Sequence, residues 1–276
     1  MTYKTILVHL NDSRRAEKVL EPAAQLATRF NAHLIGLHVC SAVPASPIPM
    51  ASSALGSIVA AERRNSEAIA DTFKRMTTGQ PYVAEWQLQK VSHLDLASVV
   101  MERGRAANLI VAGQTDPEWD LSPLMDFPEH VVLESGRPVL VIPYAGRYST
   151  IGRRVVIAWK PARESARAVF DALPLLLGAE AVHILEVKER PDDVSTLAPD
   201  TSIAAALARH GIKPEVRTSI ASELSVGDEI LSRAADLDAD LLVMGAYGHS
   251  RFRELVFGGT TRHIARHMTL PTLLSH

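Results

Sequence analysis

The chain has 276 residues, of which 47% are hydrophobic and 22% are charged, and its formal net charge is −2. This composition is typical of a folded protein with enough chain for two domains of ordinary size. The near-neutral charge argues against a nucleic-acid partner, and no apolar run predicts a membrane span. The single cysteine, Cys40, excludes an intrachain disulfide framework. We therefore expect a cytoplasmic protein in which Cys40 is a buried structural residue.

The first half of the sequence alternates short apolar runs, which predict buried parallel strands, with segments of helical apolar spacing. The predicted strands are Thr5–Leu10, Ala32–Cys40, Val83–Leu88, Asn108–Ala112 and Val139–Pro143. The predicted helices are Ser13–Phe30, Leu94–Arg105 and Phe127–Ser135. The segment Ser41–Ser57 is rich in Pro, Ser and Ala and predicts a loop. That loop is interpreted as a lid over the strand ends, a partner-docking loop or a poorly ordered connection.

The second half repeats this order of strands and helices. The predicted strands are Arg154–Trp159, Ala181–Lys188, Glu215–Ile220, Asp240–Met244 and Thr272–Ser275. The predicted helices are Arg163–Leu177, Ser202–Gly211, Val226–Leu237 and a last one that begins at Thr260. The motifs NLIVAG, which ends at Gly113, and DLLVMG, which ends at Gly245, occupy the same place in the two series. The chain is therefore predicted to contain two copies of one unit.

Such a repeat predicts two open parallel five-stranded sheets with helices on both faces, an α/β fold. We predict one domain over residues 1–145 and a second over 153–276, joined by the polar, turn-rich segment 146–152. In these sheets a ligand binds beyond the carboxyl ends of the strands, where the strand order reverses. We place that reversal between the first and fourth strands of each copy. The segments expected to face the site are Asn11 to Ser13, Gly113 to Asp116, Lys160 to Ala162 and Gly245 to Gly248.

A set of spaced glycines follows the predicted strand Asp240–Met244. Two residues separate Gly245 from Gly248, nine separate Gly248 from Gly258, and a helical pattern follows at once. Glycines let the backbone approach an anion closely, and a helix N-terminus directs its N–H groups toward one. The order of strand, glycine loop and helix therefore predicts a phosphate or nucleotide site. The alternative is that these glycines only form tight turns.

With these motifs the sequence resembles the universal stress protein family in its tandem, two-domain form. The resemblance rests on the glycine spacing, on ILVHLNDS and HLIGLHV, and on Pro138 and Pro271 before the closing strands. It implies a Rossmann-like, adenine nucleotide alpha hydrolase-like fold. Some members bind ATP or AMP and others bind no nucleotide, and no catalytic reaction is common to the family. Members usually pair through the last strand, so a tandem chain can form an internal pseudo-dimer, with a homodimer as a further option.

The resemblance implies a site for ATP or AMP in the second domain only, with any Mg²⁺ held through the nucleotide and no metal held by protein ligands. The implied site residues are Ala158, Lys160, Val187, Met244, Gly245, Gly248, Gly258, Gly259, Thr260 and Thr261. Gly259 stands where nucleotide-binding members have a hydroxyl residue, which Thr260 and Thr261 can supply instead. Lys160, followed by Pro161, replaces the acidic residue that meets the ribose or adenine, and a lysine still tolerates phosphate. Any hydrolysis would be slow.

The first copy departs from the family pattern in the opposite way. Asn11 and Ser13 keep the ribose-side pattern, but Asp116 replaces the second glycine and Asp126 the third. Two acids facing a phosphate site oppose anion binding through like charge. We therefore expect the first copy to bind no nucleotide and to act as the structural partner of the second. The alternative is a nucleotide-independent interaction or small-ligand-binding protein in which both sites are degenerate.

Histidines provide no metal motif in the sequence. His263 and His267 lie four residues apart on a predicted helix, but no third ligand is in register and H-E-x-x-H is not formed. We interpret this pair as part of a solvated helix face. His9, His38 and His183 fall within predicted strands and are interpreted as structural groups.

Overall fold

Parallel strands alternate with helices in the computed structural model, which confirms the predicted α/β class. The structure describes residues 2–41, 52–91, 95–116, 118, 128–189, 201–221, 223–246 and 259–276. These residues fall into two units: the first unit, Tyr3–Ser135, and the second unit, Gly136–His276 together with Thr2. No helix in the described part of the chain is long and apolar enough to cross a membrane.

The first unit is built around four parallel strands in the order β3-β2-β1-β4. The strands are β1 Thr5–His9, β2 His33–Ser41, β3 Ala84–Val91 and β4 Leu109–Gly113. The helices are α1 Ala16–Phe30, α2 Ser52–Thr77, α3 Leu96–Gly104 and α4 Pro128–Glu134. All residues of β4 are buried, which agrees with an apolar run covered on both faces.

The second unit contains six strands in the order β5-β10-β9-β6-β7-β8. The strands are β5 Val139–Ile142, β6 Arg154–Ala158, β7 Ala181–Lys188, β8 Glu215–Ile220, β9 Leu241–Gly245 and β10 Thr272–Ser275. The helices are α5 Arg163–Asp171, α6 Leu173–Leu176, α7 Ser202–Arg209, α8 Val226–Asp236 and α9 Gly259–His267. Only the β5–β10 pairing is antiparallel among the pairings described in this unit.

Both units reverse their strand order beside their first parallel strand, as predicted. β1 pairs with β2 on one side and with β4 on the other, and β6 pairs in the same way with β7 and β9. The chain segments that follow these strands therefore emerge at the carboxyl edge of each sheet, next to the reversal. This is the place where parallel α/β sheets bind their ligands.

The strand β5 closes the first predicted series, yet it belongs to the second unit. It pairs with β10, with Val141 opposite Thr272 and Val139 opposite Leu274. All four residues of β5 are buried, so this pairing covers an apolar strand that would otherwise expose a hydrogen-bonding edge. Among its described residues the first unit consequently contains four strands, where five were predicted for each copy. The limits of 1–145 and 153–276 for the sequence repeats remain a prediction.

Two predicted elements differ from the structure. Ser41 ends β2 and Ser52–Ser57 begin α2, so both ends of the predicted loop Ser41–Ser57 are regular structure, and residues 42–51 lie outside the described residues. The predicted helix Arg163–Leu177 is divided into α5 and α6. Pro174 lies in the first turn of α6, where its missing N–H leaves no helical hydrogen bond unmade.

Local sequence accounts for several helix ends. Asp95 caps α3 by accepting a hydrogen bond from the backbone N–H of Ser98 at 3.0 Å. The hydroxyl of Ser225 caps α8 in the same way, accepting from the N–H of Asp228 at 3.1 Å. Asn31 ends α1 with φ 47°, a left-handed conformation in which asparagine is enriched. These signals fix where the helices flanking the strand ends start and stop.

Candidate functional site

The candidate site of the second unit lies where β6 and β9 end side by side. Ala158 is opposite Met244 in their parallel pairing, so these two predicted site residues are brought together. Val187 is half-buried and lies on β7, the strand that pairs with β6 on the side opposite β9. Lys160 follows β6 and is exposed. The strand ends thus present an apolar surface, and the positively charged Lys160 lies at its solvent-exposed edge.

Gly245 brings the end of β9 against the start of α5. A Cβ atom at Gly245 would lie 2.5 Å from the carbonyl carbon of Glu164 and 2.5 Å from the backbone nitrogen of Ser165. Backbone atoms cannot move away as a flexible side chain can, so only glycine fits here. The first glycine of the motif is therefore explained by packing alone, whether or not it also contacts a ligand.

The first turn of α5, which contacts that glycine, carries a buried carboxylate residue, Glu164. The Glu164 side chain is 6% exposed and accepts a hydrogen bond from the guanidinium of Arg163. Burial acts to raise the pKa of Glu164, but hydrogen bonds from Arg163 and from the backbone, with nearby positive charge, hold this pKa below its usual value. Glu164 is therefore ionised at neutral pH. No motif in the sequence points to Glu164 as a site residue.

Hydrogen bonds hold the chain at Ala246, just before the glycine loop. After β9, the N–H of Ala246 donates to the carbonyl of Ser275 at 2.8 Å, and Nδ1 of His276 lies 3.0 Å from the carbonyl oxygen of Ala246. Gly248 and Gly258 lie outside the described residues. The chain is described again from Gly259, where α9 begins. The structure thus places the predicted residues Gly259, Thr260 and Thr261 in the first turn of a helix, with Thr261 buried.

The strand ends of the first unit are filled by an arginine. The Arg15 side chain is 10% exposed, and its Nη1 donates to the carbonyl of Gln114 at 3.0 Å. Its guanidinium also lies 3.7 Å from the carboxylate of Asp12 and 3.9 Å from that of Asp116. Asp116 was predicted to repel an anion, but in the structure Arg15 balances its charge. A Cβ at Gly113 would lie 3.6 Å from Nη2 of Arg15, so this side chain covers the end of β4.

The ribose-side residues of the first unit are held by α2. The side chain of Asn65 donates from Nδ2 to the carbonyl of Asn11 at 3.1 Å and accepts from the N–H of Ser13 at 2.9 Å. Asn11 is itself buried. The polar backbone groups that follow β1 are therefore engaged within the protein. Asp126 lies outside the described residues.

His263 and His267 do not form a fully solvated pair. Nε2 of His263 lies 2.8 Å from Oδ1 of Asp228, and the two imidazole centroids are 4.6 Å apart. The His263 side chain is 26% exposed, whereas His267 is exposed. The interpretation as a solvated face is correct for His267 and wrong for His263, which joins α9 to the first turn of α8.

Comparison with known proteins identifies the repeat. The profile of the Universal stress protein family matches the sequence twice, over residues 2–143 and 152–276. The chain belongs to the universal stress protein family. Because the family domain occurs twice, the chain is a tandem member, as the resemblance implied.

One relative of the family is similar in sequence over part of its length. The chain is 32% identical over 149 residues to "Universal stress protein Slr1230" from Synechocystis sp.. The match covers 52% of this chain and 49% of that protein, so the chain spans about half the length of the curated relative it matches.

Solved structures of the family share the fold over nearly the whole chain. A universal stress protein from Archaeoglobus fulgidus DSM 4304 matches with a TM-score of 0.73 at 17% identity, over 98% of this chain and 95% of that one. A putative universal stress protein from Pseudomonas aeruginosa UCBPP-PA14 matches with a TM-score of 0.59 at 17% identity, over 99% and 93%. At these identities the likeness shows the fold.

Proposed function

We propose that this tandem universal stress protein is a stress-response regulator that binds ATP or AMP in its second unit. The observation that carries the proposal is the arrangement around β9. Its end lies beside that of β6 at the strand-order reversal, and the glycine motif then leads into α9. That order of strand, glycine loop and helix suits the binding of phosphate.

Each part of the site has a proposed role. Ala158, Met244 and Val187 supply the apolar contacts for adenine. The backbone N–H groups of Gly248, Gly258 and Gly259 bind the phosphates, with Gly248 and Gly258 included on the basis of the sequence. Lys160 adds a positive charge at the rim, and Mg²⁺ accompanies the nucleotide. Thr260 and Thr261 begin α9, and its N-terminus favours an anion.

The first unit is proposed to act as the structural partner of the second. Buried Arg15 covers its strand ends, and Asn65 occupies the polar groups that follow β1. We propose that the two domains form an internal pair, that the pair can associate further as a homodimer, and that the protein acts in the cytoplasm. Neither nucleic acid nor a membrane is a proposed partner.

A second candidate function is favoured by one specific observation. Gly245 is already explained by its contact with α5, and ionised Glu164 lies in the helical turn that makes this contact. A negative charge near the phosphates weakens their binding unless a cation balances it, as Arg163 does here. The second proposal is therefore a nucleotide-independent interaction or small-ligand-binding protein in which both sites are degenerate.

Nucleotide content and affinity test the proposal. The purified full chain is denatured, the released small molecules are identified, and ATP and AMP are titrated calorimetrically. The informative variant is Gly259→Asp, because a Cβ at Gly259 meets no atom of the described residues within 4 Å and an acid at a helix N-terminus favours the helix. The added charge should abolish binding without unfolding the protein. The control is Gly56→Asp, where a Cβ also meets nothing within 4 Å in the part of the chain that the structure describes.

The expected result is about one nucleotide per chain, lost in Gly259→Asp and retained in Gly56→Asp. An absence of bound nucleotide and of binding heat up to millimolar ATP or AMP would contradict the proposal. Equal binding by both variants would also contradict it, because the nucleotide would then lie away from the start of α9.

A further inference from the structure

One face of β2 in the first unit carries potential metal ligands against α2. His38 and Cys40 are two residues apart on β2, so both side chains lie on the same face of the strand, together with Gly36. A Cβ at Gly36 would overlap the ring of Phe73 from α2. The missing side chain therefore allows α2 to approach β2 closely, and Glu62 on α2 meets His38 there.

Three different ligand atoms converge at this contact. Nε2 of His38 lies 3.1 Å from Oε1 of Glu62. The ligand atoms of His38, Cys40 and Glu62 all lie within 4.8 Å of one another. The His38 side chain is fully buried, Cys40 is 5% exposed and the Glu62 side chain is 33% exposed. The cluster is therefore enclosed on the strand side and reachable from solvent on the helix side.

The hydrogen bonds of His38 fix which nitrogen faces the cluster. Nδ1 lies 2.7 Å from the carbonyl oxygen of Leu10. A carbonyl oxygen only accepts, so Nδ1 must carry a proton and Nε2 presents its lone pair in the neutral ring. Metal-binding histidines typically donate their other ring N–H to a backbone carbonyl or a carboxylate in this way. The imidazole is thus held in the tautomer and orientation that a metal requires.

The 3.1 Å contact between Nε2 of His38 and Oε1 of Glu62 is favourable only if a positive charge lies between the two atoms. A neutral imidazole nitrogen and a carboxylate oxygen are both acceptors, and two lone pairs at this distance repel each other. A proton relieves that repulsion, and so does a cation. The Ser66 hydroxyl, 3.1 Å from Nε2 and 3.3 Å from Oε1 of Glu62, can donate to only one of them.

We propose that His38, Cys40 and Glu62 bind a zinc ion between β2 and α2. Nitrogen, thiolate and carboxylate are the ligands that zinc accepts in tetrahedral sites, whereas Mg²⁺ and Ca²⁺ prefer oxygen alone. Tetrahedral zinc with bonds of about 2.0–2.3 Å places its ligand atoms roughly 3.3–3.7 Å apart. The His38–Glu62 contact of 3.1 Å is already close to that range, and the other ligand pairs, which lie within 4.8 Å, would have to close by at most about 1 Å. Three protein ligands leave the fourth position to water or a small ligand.

Zinc at this position would connect α2 to the central strands of the first unit. His38 reaches the end of β1 through Leu10, and Glu62 lies on α2 one turn before Ser66. Because the metal binds the folded arrangement, it should stabilise the first unit against unfolding. This site is separate from the proposed nucleotide site, which belongs to the second unit.

Cobalt substitution tests the proposal with a signal that belongs to one residue. Cys40 is the only cysteine of the chain, so a thiolate-to-cobalt charge-transfer band reports Cys40 alone. The full chain is stripped of metal with a chelator, titrated with Co²⁺, and then with Zn²⁺ in competition with a chromogenic chelator. We expect one equivalent of Co²⁺ to produce the thiolate band and tetrahedral absorption, and Zn²⁺ to displace it.

Variants separate this site from adventitious binding by the eleven histidines. Cys40→Ser should abolish the band, and Glu62→Gln should keep the band at saturation while weakening Zn²⁺ binding. In both variants we expect the affinity for Zn²⁺ to fall by at least about 10-fold, because the loss of even an outer-shell partner typically costs about 10–100-fold. The matched control is Glu85→Gln, because Glu85 faces His33 at 3.4 Å. That variant should bind Zn²⁺ as the unaltered chain does.

The absence of a thiolate band at stoichiometric Co²⁺ would overturn the proposal. So would Zn²⁺ affinities that are equal in the unaltered chain, Cys40→Ser and Glu62→Gln. If Cys40→Ser fails to fold, Glu62→Gln still decides the question, because the Glu62 side chain is one-third exposed and its replacement is isosteric. Circular dichroism of the metal-free proteins verifies that each variant is folded.

Discussion

In the two units, residues of opposite charge lie against equivalent glycines, Gly113 and Gly245. In the first unit the guanidinium of Arg15 lies over Gly113 at the end of β4. In the second unit the start of α5, with Glu164, lies against Gly245 at the end of β9. Both charged residues are buried and both belong to the segment that follows the first parallel strand. One repeat has therefore produced two electrostatically different strand ends.

This difference shows that the acidic residues near the strand ends do not alone decide which unit can bind an anion. Asp116 has Arg15 as a counter-ion, and Glu164 has Arg163. The units differ in which residues occupy the space beyond their strand ends. Arg15 and Asn65 fill the first, while the second keeps the glycine motif and the exposed Lys160.

The largest expected effect concerns the two glycines. Gly245→Ala should destabilise the protein by about 1–3 kcal/mol or more, because its Cβ would collide with the backbone of α5. Gly113→Ala should be nearly neutral, because its Cβ would lie 3.4 Å from Val19, an ordinary contact. Urea unfolding of both variants measures this difference. Equal destabilisation would show that the two glycines pack alike.

The next effect concerns the arginine that fills the first unit. Arg15→Met should cost about 1–3 kcal/mol, because it removes the bond to Gln114 and leaves buried Asp12 with one counter-ion fewer. Arg14→Met is the matched control, because Arg14 also pairs with Asp12 but its side chain is 65% exposed. It should cost less than about 1 kcal/mol. Thermal unfolding would refute the burial argument if both variants lost equal stability.

A smaller effect is expected at the rim of the second unit. Lys160→Ala should weaken ATP binding by roughly two- to fivefold, as expected for one exposed charge, and should weaken AMP binding less. Lys90→Ala, an exposed lysine on β3, should leave both affinities unchanged. Calorimetry provides the comparison. Identical losses for ATP and AMP would mean that Lys160 does not act on the outer phosphates.

The smallest effect is the pH dependence that Glu164 contributes. Its pKa is lower in the folded protein than in the unfolded chain, so its ionisation stabilises the fold above its ordinary pKa. That stabilisation is lost as the pH falls from the ordinary glutamate pKa, roughly 4.3, through the lower pKa of the folded protein. Glu164→Gln should therefore lower stability at neutral pH and become equivalent to the unaltered chain in acid. A stability difference between the unaltered chain and Glu164→Gln that does not change with pH would contradict the lowered pKa of Glu164.

The elements of the fold that depend on local sequence pattern could be predicted from the sequence. The apolar runs of β1, β4, β6 and β9, and their place beside the strand-order reversal, followed from periodicity and the repeat. The antiparallel pairing of β5 with β10 did not, because pairing between distant strands leaves no local signal. The helix α2 was not predicted at all, and Pro, Ser and Ala around Ser52 resemble a loop at its start.

The candidate sites were predicted less completely than the fold. Arg15 and Glu164 are charged residues, which composition alone assigns to the surface, and only tertiary contacts reveal their burial. The two-residue spacing of His38 and Cys40 on a predicted strand was a usable signal for a shared face. Glu62 could not be added from the sequence, because its helix had not been predicted.

Amide hydrogen exchange with and without ATP or AMP tests the central proposal most directly, because it shows which unit binds. We expect saturating nucleotide to protect the peptides that contain the end of β9 and the start of α9. Peptides that contain β4 and the start of α1 should exchange at unchanged rates. Protection confined to the first unit, or no protection at millimolar nucleotide, would contradict a nucleotide site in the second unit.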